Sequence, residues 1–457
     1  MNKDIFNGQF KYSPYLPFDA SRNPLYSGDF STADQGGLQP LAYSGWRDEE
    51  TTWHDSCFVF AGLNPTLTYR LSGPDSRRFL SENFTNRFDN LTPGGSRHAL
   101  MVNEDGLLMS DVVVMCLADD EFVMNGPIQY LDWRLRHGSY DATGEDITGD
   151  VFLYQLGGPR SLEVLEAATQ QDLHGLRFSK HCPAKIAGRS VEVLRLSMSG
   201  KIGYEVHGRI VDALPVYQEI LRAGAPFGAK PIGKHAYWNA HTENGYPQIT
   251  IHFYYAWETE PDFFSAFMAD GGNYHCGSNS ELTGSFSSDV AARYVNPYEI
   301  GWGMFVNLDH DFVGRDALAR IKDSRHNVMV TLEWSSEDVA DVWASQLRDH
   351  VPYAPMDGPE DLPEDGVFEY RADKVLCGER CVGRSMGRCL SWHYRRMISL
   401  AILDPDYADK GRELEVLWGD PESRQKRIRA RVARFPYMDE DRNEKTDVSG
   451  YPSGLSR

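Results

Sequence analysis

Between residues 55 and 225 the sequence switches repeatedly between strand-like and helix-like patterning, and this interleaving limits the possible folds more than any other feature. Phe58 to Leu71 carries β-rich patches, and Asp75 to Phe84 has the pattern of a short capped helix. Leu107 to Cys116 is almost wholly apolar, the mark of a buried strand, and Glu121 to Met124 continues as a second one. Gly158 to Ala168, with Pro159 and Ser161 ahead of Leu162, Val164 and Leu165, predicts a helix. Val191 to Leu196 alternates as a strand. Ile210 to Ala223 predicts an amphipathic helix with Val211, Leu214, Tyr217, Ile220 and Leu221 on its apolar face. Strand and helix therefore alternate twice over, which predicts an α+β or α/β body rather than an all-β one.

The flanks read differently. Residues 1–50 are rich in Tyr, Pro, Gly and Ser with little periodicity, yet seven aromatics precede residue 31. That is too many for a disordered tail, so an extended arm packed on the body is expected. After about Asp323 the composition shifts. His326 to Trp334 reads as a strand, an acidic Pro-containing stretch runs from Ser335 to Asp365, and alternating segments follow from Val367 to Pro436. Residues 324–457 are expected to form a separate β-rich domain behind a central region spanning 51–323. A chain of 457 residues fits about three domains and buries enough core to need neither disulfide nor structural metal.

Charge narrows the partners. The 46 basic and 66 acidic side chains leave a formal net charge of −20, which argues against an electrostatic grip on nucleic-acid phosphates or an anionic bilayer. No apolar run is long enough to span a membrane, and Met1-Asn2-Lys3-Asp4 leads into no signal core. Seven unevenly spaced cysteines suit free thiols in a reducing compartment, so a cytoplasmic location is expected.

Several motifs look like chemistry but carry little of it. Gly383-Arg384-Ser385-Met386-Gly387 fits the nucleophile elbow, but no histidine follows a later acid, so a glycine-containing β-turn is the better reading. Cys377, Cys381 and Cys389 lack the paired spacing and fourth ligand of a zinc site, and read as buried strand thiols. Adjacent residues of an extended segment point to opposite faces, so Asp309-His310-Asp311 does not converge on an ion. His235 and His241 are six apart rather than four. No metal is expected, and no glycine-rich phosphate loop is present.

The informative region is Leu196 to Gln248. Ser199-Gly200-Lys201-Ile202-Gly203-Tyr204-Glu205 sets a carboxylate just past a glycine-rich turn, where backbone can approach a planar ligand closely. Such a carboxylate accepts paired, charge-assisted hydrogen bonds from an amino-pyrimidine edge; an exposed Glu at a strand start is the plainer alternative. Tyr237, Trp238 and Tyr246 cluster among polar residues and glycines, as the wall of a site or as ordinary aromatic core.

These residues resemble a known family. Gly203-Tyr204-Glu205 after a strand, the Pro231-Ile232-Gly233 block, and Tyr298-Glu299-Ile300-Gly301-Trp302 leading to Asp311-Phe312-Val313-Gly314-Arg315-Asp316-Ala317-Leu318 resemble the glycine-cleavage T-protein (aminomethyltransferase) family. Gly284-Ser285-Phe286 and Tyr294-Val295-Asn296-Pro297 are similar to its tetrahydrofolate-dependent aromatic O-demethylases, and the likeness runs from about Trp46 into the C-terminal domain. The resemblance implies an α+β fold of three domains in a ring around a folate channel, the last barrel-like, with tetrahydrofolate as cofactor. It implies that Glu205 holds the pterin amino edge and that Gln155, Phe178 and Tyr246 line the pterin pocket. The demethylase branch has Trp where this chain has Tyr246. It also implies that Asp111 lies near the folate nitrogens and that Tyr237 acts in catalysis, on a small methoxylated aromatic substrate.

The chain departs from that branch where the branch binds its substrate. Pro65 stands in place of a histidine and Pro127 in place of the arginine that holds an aromatic carboxylate. Proline offers no donor. Either Arg97 or Arg134 takes that role, or the substrate has no carboxylate. The expected activity is transfer of a methyl group from an aryl ether to tetrahydrofolate. One-carbon transfer from an amine or sulfonium donor and a non-catalytic folate-binding role stand as alternatives.

Overall fold

The structure, a computed structural model, describes residues 26–28, 38–40, 42–62, 64, 66–249, 251–269, 280–356 and 368–455. Most of the expected N-terminal arm, Pro65 and Cys276 lie outside the described residues. Within the arm, Tyr26–Gly28 pairs antiparallel with Leu38–Pro40, and a short helix, Trp46–Glu49, already begins before residue 50.

Two mixed layers form the body. In the first, five antiparallel strands run in the order Ser96–Val102, Leu108–Ala118, Glu121–Asn125, Thr68–Ser72, Thr143–Asp146. In the second, six strands run in the order His181–Ile186, Arg189–Leu194, Gly203–Arg209, Val151–Gly157, Cys57–Phe60, Ala229–Pro231, the last pair parallel. Cys57–Phe60 precedes the whole first sheet in sequence yet lies in the second.

Strand alternation divides the second sheet into two faces. Tyr154, Leu156, Tyr204, Val206 and Val59 pack against Ser161–Thr169 and Ala213–Gly224, two helices that bury Leu162, Leu165, Val216, Tyr217 and Ile220. Gln155, Glu205 and Phe60, one residue out of phase, face the other way.

The Ile210–Ala223 expectation is right in type and, for Tyr217, Ile220 and Leu221, right in face, but its first turn differs. A 3₁₀ turn at Ile210–Asp212 delays the helix to Ala213 and shifts its phase. Val211 and Leu214 are consequently exposed, and Val216 and Ala223 are buried in their place.

The C-terminal region contains a closed six-stranded barrel, ordered Val328–Trp334, Arg396–Leu403, Arg380–Ser391, Asp373–Cys377, Glu413–Trp418, Lys426–Val432. Leu332, Trp334, Val416, Trp418 and Ile428 are fully or nearly fully buried in its core. The acidic stretch after Trp334 holds a helix, Ser336–Ser345, that its composition concealed; the Ser335 side chain caps it by accepting from the Asp338 amide.

Gly383 to Gly387 lies inside the long Arg380–Ser391 strand, not in a β-turn, and the register shifts between Met386 and Cys389. Gly387 takes φ +57° there, and a Cβ would strike the His252 ring. Ser385 is buried and donates to Ser399 Oγ at 2.8 Å, a structural contact inside the barrel. Cys377, Cys381 and Cys389 are strand thiols as expected, but Cys381 is exposed and Cys377 half-buried. No helix among the described residues is long and apolar enough to cross a membrane.

Candidate active site

Helix Lys234–Asn244 carries the centre of the site. Gly233 in extended conformation opens it, and Gly245 in the left-handed conformation, φ +65°, closes it. Nine of its eleven residues are buried, so tertiary contacts on all sides rather than amphipathicity fix its position. Thr242 donates to the Gly387 carbonyl of the barrel at 2.8 Å and bonds His252 Nε2 at 3.1 Å. Glu49 accepts from the Gly233 amide at 2.8 Å, and Glu50 accepts from the Trp392 amide at 2.7 Å. Glu50 also bonds the helix through Asn239 and Glu243. Burial, then the charge of Glu243, push the Glu50 carboxyl well above the usual range, so it is the protonated member of that pair. Burial opposes ionisation of Glu243 as well, but its hydrogen bond to His54 holds it below the ordinary carboxyl value.

Sheet register brings the next group together. Phe60, Gln155 and Glu205 stand in one row across three adjacent strands. Gln155 Nε2 donates to Glu205 Oε1 at 3.0 Å, and His207 Nε2 lies 3.1 Å from Glu205 Oε2. Gln155 Oε1 is buried without a partner. Phe60 stacks on Tyr237 with ring centroids 4.1 Å apart and planes 17° from parallel. Tyr237 is 5% exposed. Burial first, then the carboxylates of Glu205 and Asp111, push that phenol far above its ordinary value.

Asp111 comes from the other sheet. Its strand pairs with Ser96–Val102 so that His98 lies opposite Val113, diagonal to Asp111 on the same face. His98 Nε2 is 2.9 Å from Asp111 Oδ2, and Tyr255 donates its hydroxyl proton to Asp111 Oδ1. The Tyr246 hydroxyl is 2.8 Å from His98 Nδ1. Burial, then Asp111, Glu205 and Tyr237, push Tyr246 well above its ordinary value. Tyr237, Tyr246, Glu205 and Asp111 therefore lie within electrostatic reach of one another.

His241, one helical turn after Tyr237, meets its ring edge-on at 4.8 Å. Its Nδ1 lies 3.0 Å from the Tyr246 carbonyl, which only accepts, so Nδ1 carries the proton. Its Nε2 lone pair is buried and unpartnered, and burial pushes the imidazole down to about 4, which keeps it neutral.

Five of the six sequence-predicted site residues thus converge. Phe178 does not: it sits 37% exposed in a turn before His181–Ile186, two strands away from Glu205. Arg97 and Arg134 do not face the site. Arg97 donates to the Arg87 carbonyl and to Asn90, and Arg134 donates to Asn83 at 3.0 Å. The Pro127 carbonyl accepts from Ser110 at 2.6 Å. The sequence reading named neither His98 nor Tyr255, and weighed His241 only as a metal ligand. The four-residue spacing from Tyr237 was a usable signal for His241; His98 had none without the strand register. Beside the site, a cavity of about 840 Å³ between the two sheets reaches His207, the partner of Glu205.

The acceptor pair suits a pterin edge. Glu205 and Gln155 Oε1 place a buried carboxylate and an unpartnered carbonyl side by side, which matches the adjacent N–H groups of an amino-pyrimidine edge.

Comparison with known proteins agrees. Residues 33–253 match the GCVT N-terminal domain model. The chain is 40% identical to a sesamin methylene transferase from a Sinomonas species over 437 residues, covering 94% of this chain and 96% of that one. It is 28% identical over 423 residues to a syringate O-demethylase from a Sphingobium species, covering 87% and 89%. The aminomethyltransferase T of Bartonella henselae shares the fold, with a TM-score of 0.66, 15% identity, and coverage of 93% and 97%. The chain belongs to the glycine-cleavage T-protein family of tetrahydrofolate-using transferases, near its O-demethylases.

Proposed function

We propose that the protein is a tetrahydrofolate-dependent O-demethylase that moves a methyl group from a methoxylated aromatic compound to tetrahydrofolate, leaving a phenol. The observation that carries this reading is Tyr237: a buried phenol stacked on Phe60 and within reach of the charges of Glu205 and Asp111. Tetrahydrofolate supplies the nucleophilic ring nitrogen that takes the carbon.

The residues of the chain divide the remaining work. Glu205 and Gln155 bind the pterin edge, and the rigid sheet row holds it in line. Aryl oxide is a poor leaving group unless its oxygen is protonated as the C–O bond breaks. Tyr237 is that acid. Its ordinary pKa of ~10 is close to that of a phenol, and a phenolate in the same buried, carboxylate-lined space is disfavoured equally, so proton transfer between the two stays near balance. Pro65 and Pro127, together with Arg97 and Arg134 turned elsewhere, favour an aromatic substrate without a carboxylate.

A second donor is favoured by the 40% identity to a sesamin methylene transferase. An aryl methylenedioxy bridge would give its carbon through the same acid, leaving a catechol and methylenetetrahydrofolate.

The test is Tyr237→Phe. The chemical step should fall by about 10²- to 10⁴-fold, the span of general acid help, with folate affinity unchanged. A variant that keeps full activity removes Tyr237 from the role.

A further inference from the structure

The Asp111 carboxylate is the end of a directed chain of hydrogen bonds. An ionised carboxylate only accepts, so His98 donates to it from Nε2 at 2.9 Å. A neutral imidazole protonated at Nε2 presents a lone pair at Nδ1, and the Tyr246 hydroxyl, 2.8 Å away, donates to it. Tyr255 fixes the far carboxylate oxygen, with its own oxygen 3.3 Å from the Asp111 amide. The His98 ring is gripped edge-on by Trp302 and Phe305, with centroids at 4.9 and 4.8 Å, so the imidazole is locked in this orientation. The order of groups is that of a hydrolase triad: a hydroxyl, an imidazole, and a carboxylate that sets its tautomer.

We infer that Tyr246, His98 and Asp111 form the proton-accepting half of the site, with Tyr246 as the group that meets the substrates and His98 as the residue that stores the proton. This rests on the reading of the site as one that transfers carbon to a protonated nitrogen nucleophile. In that reaction one proton leaves the nucleophile and one reaches the aryl oxygen. Tyr237 supplies the second and is left as tyrosinate. The Tyr246 oxygen takes the first while its own O–H bond breaks and an N–H bond forms at His98 Nδ1. The imidazolium is paired with Asp111. After the phenol departs, His98 returns its proton through Tyr246 to Tyr237, whose charge Tyr246 already feels. No proton is gained or lost over the cycle.

Two experiments test this. The first needs no substrate: ¹⁵N NMR of histidine-labelled, folate-free enzyme at neutral pH should show His98 as the Nε2–H tautomer. Its Nδ1 resonance should move in Tyr246→Phe. An Nδ1–H tautomer overturns the triad, whatever the reaction.

The second uses His98→Gln, whose amide bridges Tyr246 and Asp111 but cannot take up a proton. Single-turnover transfer should fall about 10²-fold, with folate Kd within a few-fold of the unmodified enzyme. Tyr246→Phe should lose as much, and the double variant no more than either. A smaller solvent isotope effect should accompany the loss. Full activity in His98→Gln, or losses that add in the double variant, would overturn the proposal. If the unmodified enzyme moves no carbon from any aryl ether, the reading of the reaction fails instead, and the tautomer measurement still decides the triad.

Discussion

Replacing Glu205 with glutamine removes one charge and almost no volume, and the surroundings fix what that should cost. In the native site Oε1 accepts from Gln155 at 3.0 Å and Oε2 bonds His207 at 3.1 Å, which leaves one lone pair on each oxygen for the two N–H groups of the pterin edge. Glutamine keeps one acceptor oxygen and turns the other into a donor facing a donor. One charge-assisted hydrogen bond is lost and the other becomes neutral, at about 1.5–3 kcal/mol for the first and less for the second. A total near 3 kcal/mol corresponds to a folate Kd raised by about 10²-fold. The folded protein should lose far less. Gln155 can still donate to the amide oxygen, and the half-buried His207 can turn to water, so stability should change by about 1 kcal/mol. Isothermal titration of tetrahydrofolate into both proteins, with urea unfolding as the control, separates these effects. A Kd within twofold of the unmodified protein would refute Glu205 as the pterin anchor.

Other substitutions test the surrounding frame. Glu50 is raised well above its ordinary range by burial and by Glu243, so its stabilising contribution is fully present below the unfolded carboxyl range near 4.5 and is lost as pH rises toward the folded value. Urea unfolding from pH 5 to 8 should show a decline of up to about 1.4 kcal/mol per pH unit from this group, which Glu50→Gln removes. Gly387→Ala should destabilise by about 3 kcal/mol, because it forces a left-handed alanine against buried His252; an unchanged Tm would refute that. Ser385→Ala should keep full transfer activity, since Ser385 serves the barrel rather than a nucleophilic elbow.

Local features of the sequence revealed the second sheet and its ligand end better than the remainder. The glycine turn before Glu205 marked a close-approach position, and the structure sets that carboxylate beside Gln155 by strand pairing. Tyr237 stood out as one of several clustered aromatics. Its stacking on Phe60, far away in sequence, depends on the helix docking against the sheet and is invisible to periodicity. His98 was hidden for the same reason: it reaches Asp111 only through the diagonal of a particular strand register. Phe178 entered on family likeness alone, and the structure leaves it at the surface. The helix at Ser336–Ser345 was a different kind of omission, because the Ser335-to-Asp338 cap was present in the sequence and the acidic composition masked it.

The proposed reaction is transfer of carbon from an aryl ether to folate. Mass spectrometry of the folate pool tests it most directly, after incubation of the purified protein with tetrahydrofolate and a panel of neutral and acidic methoxylated aromatics. 5-Methyltetrahydrofolate and an equal amount of phenol are expected with a neutral member of the panel. Folate that binds and returns unchanged with every ether, while an amine donor is consumed, would contradict it.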